Sequence, residues 1–226
     1  MNEGRDLAGQ KRWEEARQVF EKAFSRAQNP RQAAQAAART GEVLGEMGRE
    51  REGIEYLQRS LELFHYDQVV DELKQMRVRL FSKTQSSGEI REALQDQLAS
   101  RRGARVLPAR PLMLKILFDY DSATLTSEGR NQVNQLGQAL SQLDLSHNTV
   151  LITGHTDLSG TEDYNQGLSE RRAANVAAEV VRQHGVPPDR INIEGRGKRE
   201  PLYAGTSAQE SSLNRRVEIT IVPVNE

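Results

Sequence analysis

The sequence predicts an α+β fold for the C-terminal half, a mixed β-α-β-α-β-β sheet with its helices on one face, preceded by an all-α domain. Three observations carry this. Apolar residues recur at helical spacing up to about residue 80; Gly103, Pro108 and Pro111 then interrupt helical structure; beyond Pro111, short apolar or alternating runs take turns with two long amphipathic stretches. The expected organisation is a helical domain over 1–80, a linker over 81–110 with one short helix, and the mixed-sheet domain over 111–226.

In the first 80 residues Trp13, Ala16, Phe20, Ala23 and Phe24 form one apolar stripe, and Ile54, Leu57, Leu61 and Phe64 form another. The stripes match at a fixed offset: Ala16 falls on Gly53, Phe20 on Leu57, Ala23 on Ser60 and Phe24 on Leu61, each pair 37 residues apart. Small residues alternating with large ones let the two helices of a hairpin approach closely. Gly41, Gly45 and Gly48 add small residues to the first helix and its turn, and Asp67 to Leu80 reads as a capping helix. The segment Ser82–Gly88 is polar, and Ile90, Leu94 and Leu98 give 89–102 one weak helical stripe.

Leu112–Phe118 reads as a buried strand. Thr126–Leu143 follows as a helix with Val133, Leu136, Gly137 and Leu140 on one face. Val150–Thr153 is a short apolar strand, and a second helix runs from about Glu162 to His184 along Leu168, Ala173, Val176, Ala177, Val180 and Val181. A capping box in Ser159-Gly160-Thr161-Glu162 is expected to open it, and Gly185 with Pro187 and Pro188 to stop it. Ile191–Glu194 and Val217–Ile221 alternate with period two, as half-buried strands do.

Composition excludes several function classes. The chain has 226 residues, 31 Lys and Arg against 32 Asp and Glu, and a formal net charge of -1. That leaves no clustered basic excess for nucleic acid. There is no cysteine, hence no disulfide, no thiol nucleophile and no cysteine-ligated metal. No apolar run is long enough to span a membrane. The first residues, Met1-Asn2-Glu3-Gly4-Arg5-Asp6, are too polar for a signal peptide, which leaves a cytoplasmic protein or one whose export signal or anchor has been removed.

The block that carries chemistry is Gly154-His155-Thr156-Asp157, at a strand-to-helix junction, with Arg172 fifteen residues beyond Asp157. Arg172 flanks the apolar stripe at Ala173, about three turns into its helix. A carboxylate at the helix entry and a guanidinium further in suit a ligand bearing one ammonium and one carboxylate. The plainer alternatives are a helix-capping Asp157 and a solvated, salt-bridged Arg172. His155 is expected as a structural hydrogen-bonder, and Asn214-Arg215-Arg216 as a small basic patch offset by Glu218.

The stretch Phe118-Asp119-Tyr120-Asp121-Ser122-Ala123-Thr124-Leu125, the Gly154–Asp157 block, Tyr164-Asn165 with Leu168-Ser169 and Arg171-Arg172-Ala173, Gly195-Arg196-Gly197 with Pro201, and Asn214-Arg215-Arg216-Val217-Glu218-Ile219 together resemble the OmpA C-terminal domain family over about 112–223. Peptidoglycan-associated lipoproteins and flagellar-motor stator proteins share that domain. The resemblance implies non-enzymatic, non-covalent binding of peptidoglycan through the diaminopimelate of the stem peptide, in the periplasm, with no cofactor and no metal. It implies that Asp157 takes the diaminopimelate ammonium and Arg172 its free carboxylate, and that Asp121, Thr156, Asn165, Leu168 and Arg215 line the same groove. Gly167 departs from the pattern, since glycine inside a helix costs roughly 1 kcal/mol relative to alanine. Residues 9–80 more loosely resemble tetratricopeptide repeats, which implies a protein partner for the helical domain.

Two other readings compete. A metal-assisted hydrolase would use His147, His155, Asp157 and His184, but His155 and Asp157 alternate as on a strand and the other two sit at helix ends. A docking adaptor would keep the fold and have lost the wall ligand; the presence of both Asp157 and Arg172 argues against it.

Overall fold

The computed structural model describes residues 2–102 and 111–224, so the expected breaks at Gly103 and Pro108 lie outside the described residues. The chain forms two compact units, 1–83 and 84–226.

The first unit is helical: α1 (Asn2–Gly9), α2 (Trp13–Ser25), α3 (Pro30–Glu46), α4 (Glu50–Leu63) and α5 (Asp67–Ser82), each packed on the next. Asn29 caps α3, accepting the Gln32 N–H at 3.0 Å, and Pro30 occupies the first helical position, where a missing N–H costs nothing. The 37-residue offset is structural. The helix starts Trp13 and Glu50, and likewise Pro30 and Asp67, are separated by it, so α5 repeats α3 instead of standing outside the repeat as a cap. Gly41 and Gly53 face each other where α3 crosses α4: a Cβ on either would lie 2.9 Å from the other's carbonyl oxygen. Ser60 Oγ donates to the Ala34 carbonyl at 2.8 Å, and Leu57, Met76 and Leu73 fill the space beside this crossing.

The second unit contains α6 (Ser87–Arg102), β1 (Leu112–Leu114), α7 (Ser127–Leu140), β2 (Asn148–His155), α8 (Glu162–His184), a 3₁₀ turn (Pro188–Arg190), β3 (Ile191–Gly197), α9 (Ala208–Asn214) and β4 (Val217–Pro223). The strand order is β1-β4-β2-β3, with β2 and β3 parallel and the other pairs antiparallel, which gives the mixed sheet expected. Val150, Ile152, Ile219 and Ile221 are fully buried in one core with Leu136, Val176 and Val180 from α7 and α8.

Three expectations need correction. The segment over 81–110 is not merely a linker: Ile90 and Leu94 are fully buried in the core of the second unit. Gln97 then binds the Ile219 carbonyl at 3.2 Å and the Ile221 N–H at 2.9 Å, beyond the last β1 pairing at Leu112–Ile219. Gln85 and Gln132 exchange hydrogen bonds at 2.8 and 3.1 Å, which orders the polar stretch that reads as flexible in sequence. A Leu94→Ala change should therefore cost at least about 2 kcal/mol in urea unfolding of the second unit; a linker position would change by less than about 0.5 kcal/mol.

Next, β1 ends at Leu114 rather than Phe118. The chain turns back through Asp119–Thr124, where the Asp119 N–H donates to Thr124 O at 2.9 Å, and Phe118 and Leu125 form only an isolated bridge. Finally, the cap of α8 is Thr161, whose hydroxyl accepts the Tyr164 N–H at 3.4 Å, while the Ser159 N–H is held by Asp157.

Candidate functional site

The site forms where the C-terminal end of β2 meets the first turns of α8. Two glycines paired across β2 and β3, Gly154 and Gly195, let α8 lie directly on the strands. A Cβ at Gly154 would fall 2.3 Å from Ser169 O, and one at Gly195 would fall 2.5 Å from the Glu170 side chain. Ser169 Oγ accepts the Gly197 N–H at 2.9 Å and fixes this contact. One turn further along α8 comes Arg172.

Arg172 is not a solvated surface arginine. It is 9% exposed, its Nε donates to Ser122 O at 3.0 Å, and its guanidinium lies 5.0 Å from the centre of the Phe118 ring. Burial, and after it the positive charge of Arg215, draw its pKa below the ordinary arginine value, against the opposing pull of Asp157, Tyr164 and Asp121. Among the described residues no carboxylate lies within ion-pair distance of it.

Asp157 does not cap α8. Its Oδ1 accepts the Ser159 N–H at 3.0 Å and the Ser159 hydroxyl, closing a local turn, and its Oδ2 pairs with Arg215 Nη1 at 2.6 Å. Burial pushes the carboxyl pKa up, but the bonds from the Ser159 hydroxyl and Arg215, with the Ser159 N–H, outweigh it and hold the group below the usual aspartate value.

The other expected residues divide by role. Asp121 sits on the turn that faces α8, at φ +51°, a left-handed conformation aspartate tolerates better than most residues, and accepts the Tyr164 hydroxyl. Asn165 is buried and donates to Ser159 O at 2.5 Å, so it shapes the loop that carries Asp157. Thr156 is buried, its N–H bound to Gly197 O at 2.9 Å and its hydroxyl to Asp157 O at 3.0 Å. Leu168 is buried too. Thus Asp157, Arg172, Arg215 and Asp121 lie close enough for their charges to act on one another, and Asn165 and Thr156 hold the loop that carries Asp157.

Three contributors escape a reading from the sequence. Tyr164 and Phe118 were visible only as parts of longer motifs. The third is a buried pair behind the site: Arg216 donates to Glu218 Oε1 at 2.7 Å and to Glu200 O at 3.1 Å. The ring of His155 stands 3.6 Å from the other Glu218 oxygen. Burial opposes ionisation of Glu218, but His155 and Arg216 prevail and lower its pKa to about 2. Alternation along the chain entering β4 explains the split of the apparent basic patch, with Arg215 turned out to Asp157 and Arg216 turned in.

Among the described residues no three His, Cys, Asp or Glu side chains come together in a way that could hold a metal ion. His184 packs against Gly137, His155 lies beside Glu218, and His147 is exposed. No described helix is long and apolar enough to cross a membrane.

Residues 117–215 match the OmpA family. This stretch is an OmpA-like domain. Outer membrane protein A of Bordetella avium is 47% identical to the chain over 105 residues, which cover 46% of the chain and 53% of that relative. The corresponding protein of Escherichia coli O157:H7 is 37% identical over 120 residues, 49% of the chain and 34% of the relative. The chain thus spans about half or less of the length of these relatives. Among solved structures, the cell wall anchor of the T6SS from Pseudomonas aeruginosa is 29% identical with a TM-score of 0.45, covering 60% of this chain and 97% of that one. The peptidoglycan-associated lipoprotein from Burkholderia pseudomallei is 25% identical with a TM-score of 0.43, covering 56% and 99%.

Proposed function

We propose that the OmpA-like domain is a non-enzymatic module that binds peptidoglycan through the diaminopimelate of its stem peptide. It would thereby anchor a periplasmic envelope protein or complex to the cell wall. The observation that carries this is Arg172: a guanidinium held nine-tenths buried beside a cleft, with no carboxylate in ion-pair contact among the described residues. Buried charges are ordinarily paired, so this one calls for an anion from outside, and its planar fork suits a carboxylate taken bidentately. Asp157 is near enough to act on the Arg172 charge, with its oxygens toward Ser159 and Arg215. An incoming ammonium at Asp157 displaces Arg215, which then turns to the guest's carboxylate. The free end of diaminopimelate carries that pair of charges. The match of residues 117–215 to the OmpA family and the presence of both charged residues support the same reading. The helical unit, with its repeated helix pairs, is the proposed module for a protein partner.

Cosedimentation of the whole chain with purified sacculi, and calorimetry with a stem peptide containing diaminopimelate, test the proposal. Asp157→Ala and Arg172→Ala should each weaken binding roughly tenfold or more, since each leaves one charge of the ligand desolvated without a partner. Arg172→Lys should recover only part, lacking the planar fork. Folded variants that bind as the parent does would sink the reading.

A further inference from the structure

Beside Arg172, and away from Asp157, a cleft of about 160 Å³ runs between the segment after β1 and the end of α9. Its wall includes Lys115, Arg172, Ser212, Arg215 and Arg216, and also His155. Four of these are permanent cations. The acid beneath them, Glu218, is already bound to Arg216. His155 is only 2% exposed; its Nε2 stands 3.6 Å from a Glu218 oxygen, and its Nδ1 has no hydrogen-bond partner among the described residues. The ring nitrogen Nδ1, buried without a partner, costs free energy that a ligand oxygen could recover, and Lys115 and Arg172, which no carboxylate pairs with among the described residues, select an anion.

We propose that this cleft is a second carboxylate subsite, sharing Arg172 and Arg215 with the first, that reads the terminal carboxylate of a stem peptide ending in diaminopimelate. The inference rests on the peptidoglycan reading above and narrows it. Diaminopimelate carries a carboxyl group at each end of its carbon chain. The far end supplies the zwitterion for Asp157 and Arg172. The near end is a free carboxylate only where the peptide stops at this residue, and there it enters the cleft to accept hydrogen bonds from His155, Arg215 and the Ser212 hydroxyl. The domain would then favour trimmed stems over those that continue.

Calorimetry on the whole chain with two peptides, one ending in diaminopimelate as the free acid and the other as its near-end amide, separates this subsite from its parent reading. The acid should bind about tenfold more tightly, and the ring C–H resonances of His155 should shift with the acid and stay in place with the amide. His155→Phe should bring the two affinities together. If that variant fails to fold, the affinity ratio and the ring resonances of the unaltered protein decide. Equal, measurable binding of acid and amide overturns the subsite and leaves the Asp157–Arg172 reading standing. Failure of both peptides to bind overturns the two together.

Discussion

Arg216→Ala should destabilise the OmpA-like domain by about 3 kcal/mol at neutral pH, because it strips a largely buried carboxylate of its cation. Arg216 is 4% exposed and holds Glu218 through its Nε and Nη2, each at 2.7 Å, while the same Nη2 donates to the Glu200 carbonyl at 3.1 Å. Without it Glu218 keeps only the His155 ring, 3.6 Å away. The effect carries a pH signature. In the folded protein Glu218 titrates at about 2 against an ordinary value of 4.5, so its ionised form contributes stability that is fully present above 4.5 and is lost as pH falls toward 2. The parent loses that contribution across this window and the variant no longer has it to lose. The gap between them should therefore narrow from pH 7 to pH 3. Urea unfolding at the two pH values measures it. A gap of the same size at both would assign the loss to packing alone. Glu218→Gln, which keeps the shape and removes the charge, should flatten the acid limb of the parent's stability curve.

This pair also shows why a sequence gives up some parts of a site and hides others. Asp157 and Arg172 could be read because each sits at a position with a fixed local meaning, one at a strand-to-helix junction and one beside an apolar stripe. Arg216 could not, since adjacent residues of an extended segment face opposite ways and only the fold says which of Arg215 and Arg216 turns inward. Helix α6 illustrates the same limit at longer range. Ile90, Leu94 and Leu98 mark a helical face, but its partner includes Ile219 and Ile221, more than 120 residues further on, and nothing local names them. The short helix α9 was open to reading. Ser207 and Glu210 form a reciprocal capping box, a signal with a known spacing, in a stretch that otherwise looks like loop. At the start of α8 the opposite happened. Ser159 and Thr161 both offer a hydroxyl, and Gly160 at φ +76° lets the chain turn between them, so Asp157 takes Ser159 and leaves the cap to Thr161.

Gly154→Ala should be among the most damaging single-methyl changes in the domain, lowering stability by about 3 kcal/mol or more and weakening ligand binding beyond tenfold in whatever folds. The added carbon would lie 2.3 Å from Ser169 O, a backbone atom inside a helix that no rotamer change can move. Gly195, paired with Gly154 across the strands, faces the same turn, so α8 cannot slide sideways to escape. The helix must lift. Arg172 lifts with it, away from Ser122 O and the Phe118 ring, and the geometry shared with Asp157 is lost. Gly167→Ala makes the contrasting case on the same helix. Its added carbon meets only the end of the Arg171 side chain, at 3.1 Å, which can swing aside. Alanine there should raise stability by up to about 1 kcal/mol through helix propensity and leave binding intact. Thermal unfolding and peptide calorimetry on the two variants side by side check both. If Gly154→Ala keeps the parent's affinity, the close seat of α8 on the sheet is not what places Arg172.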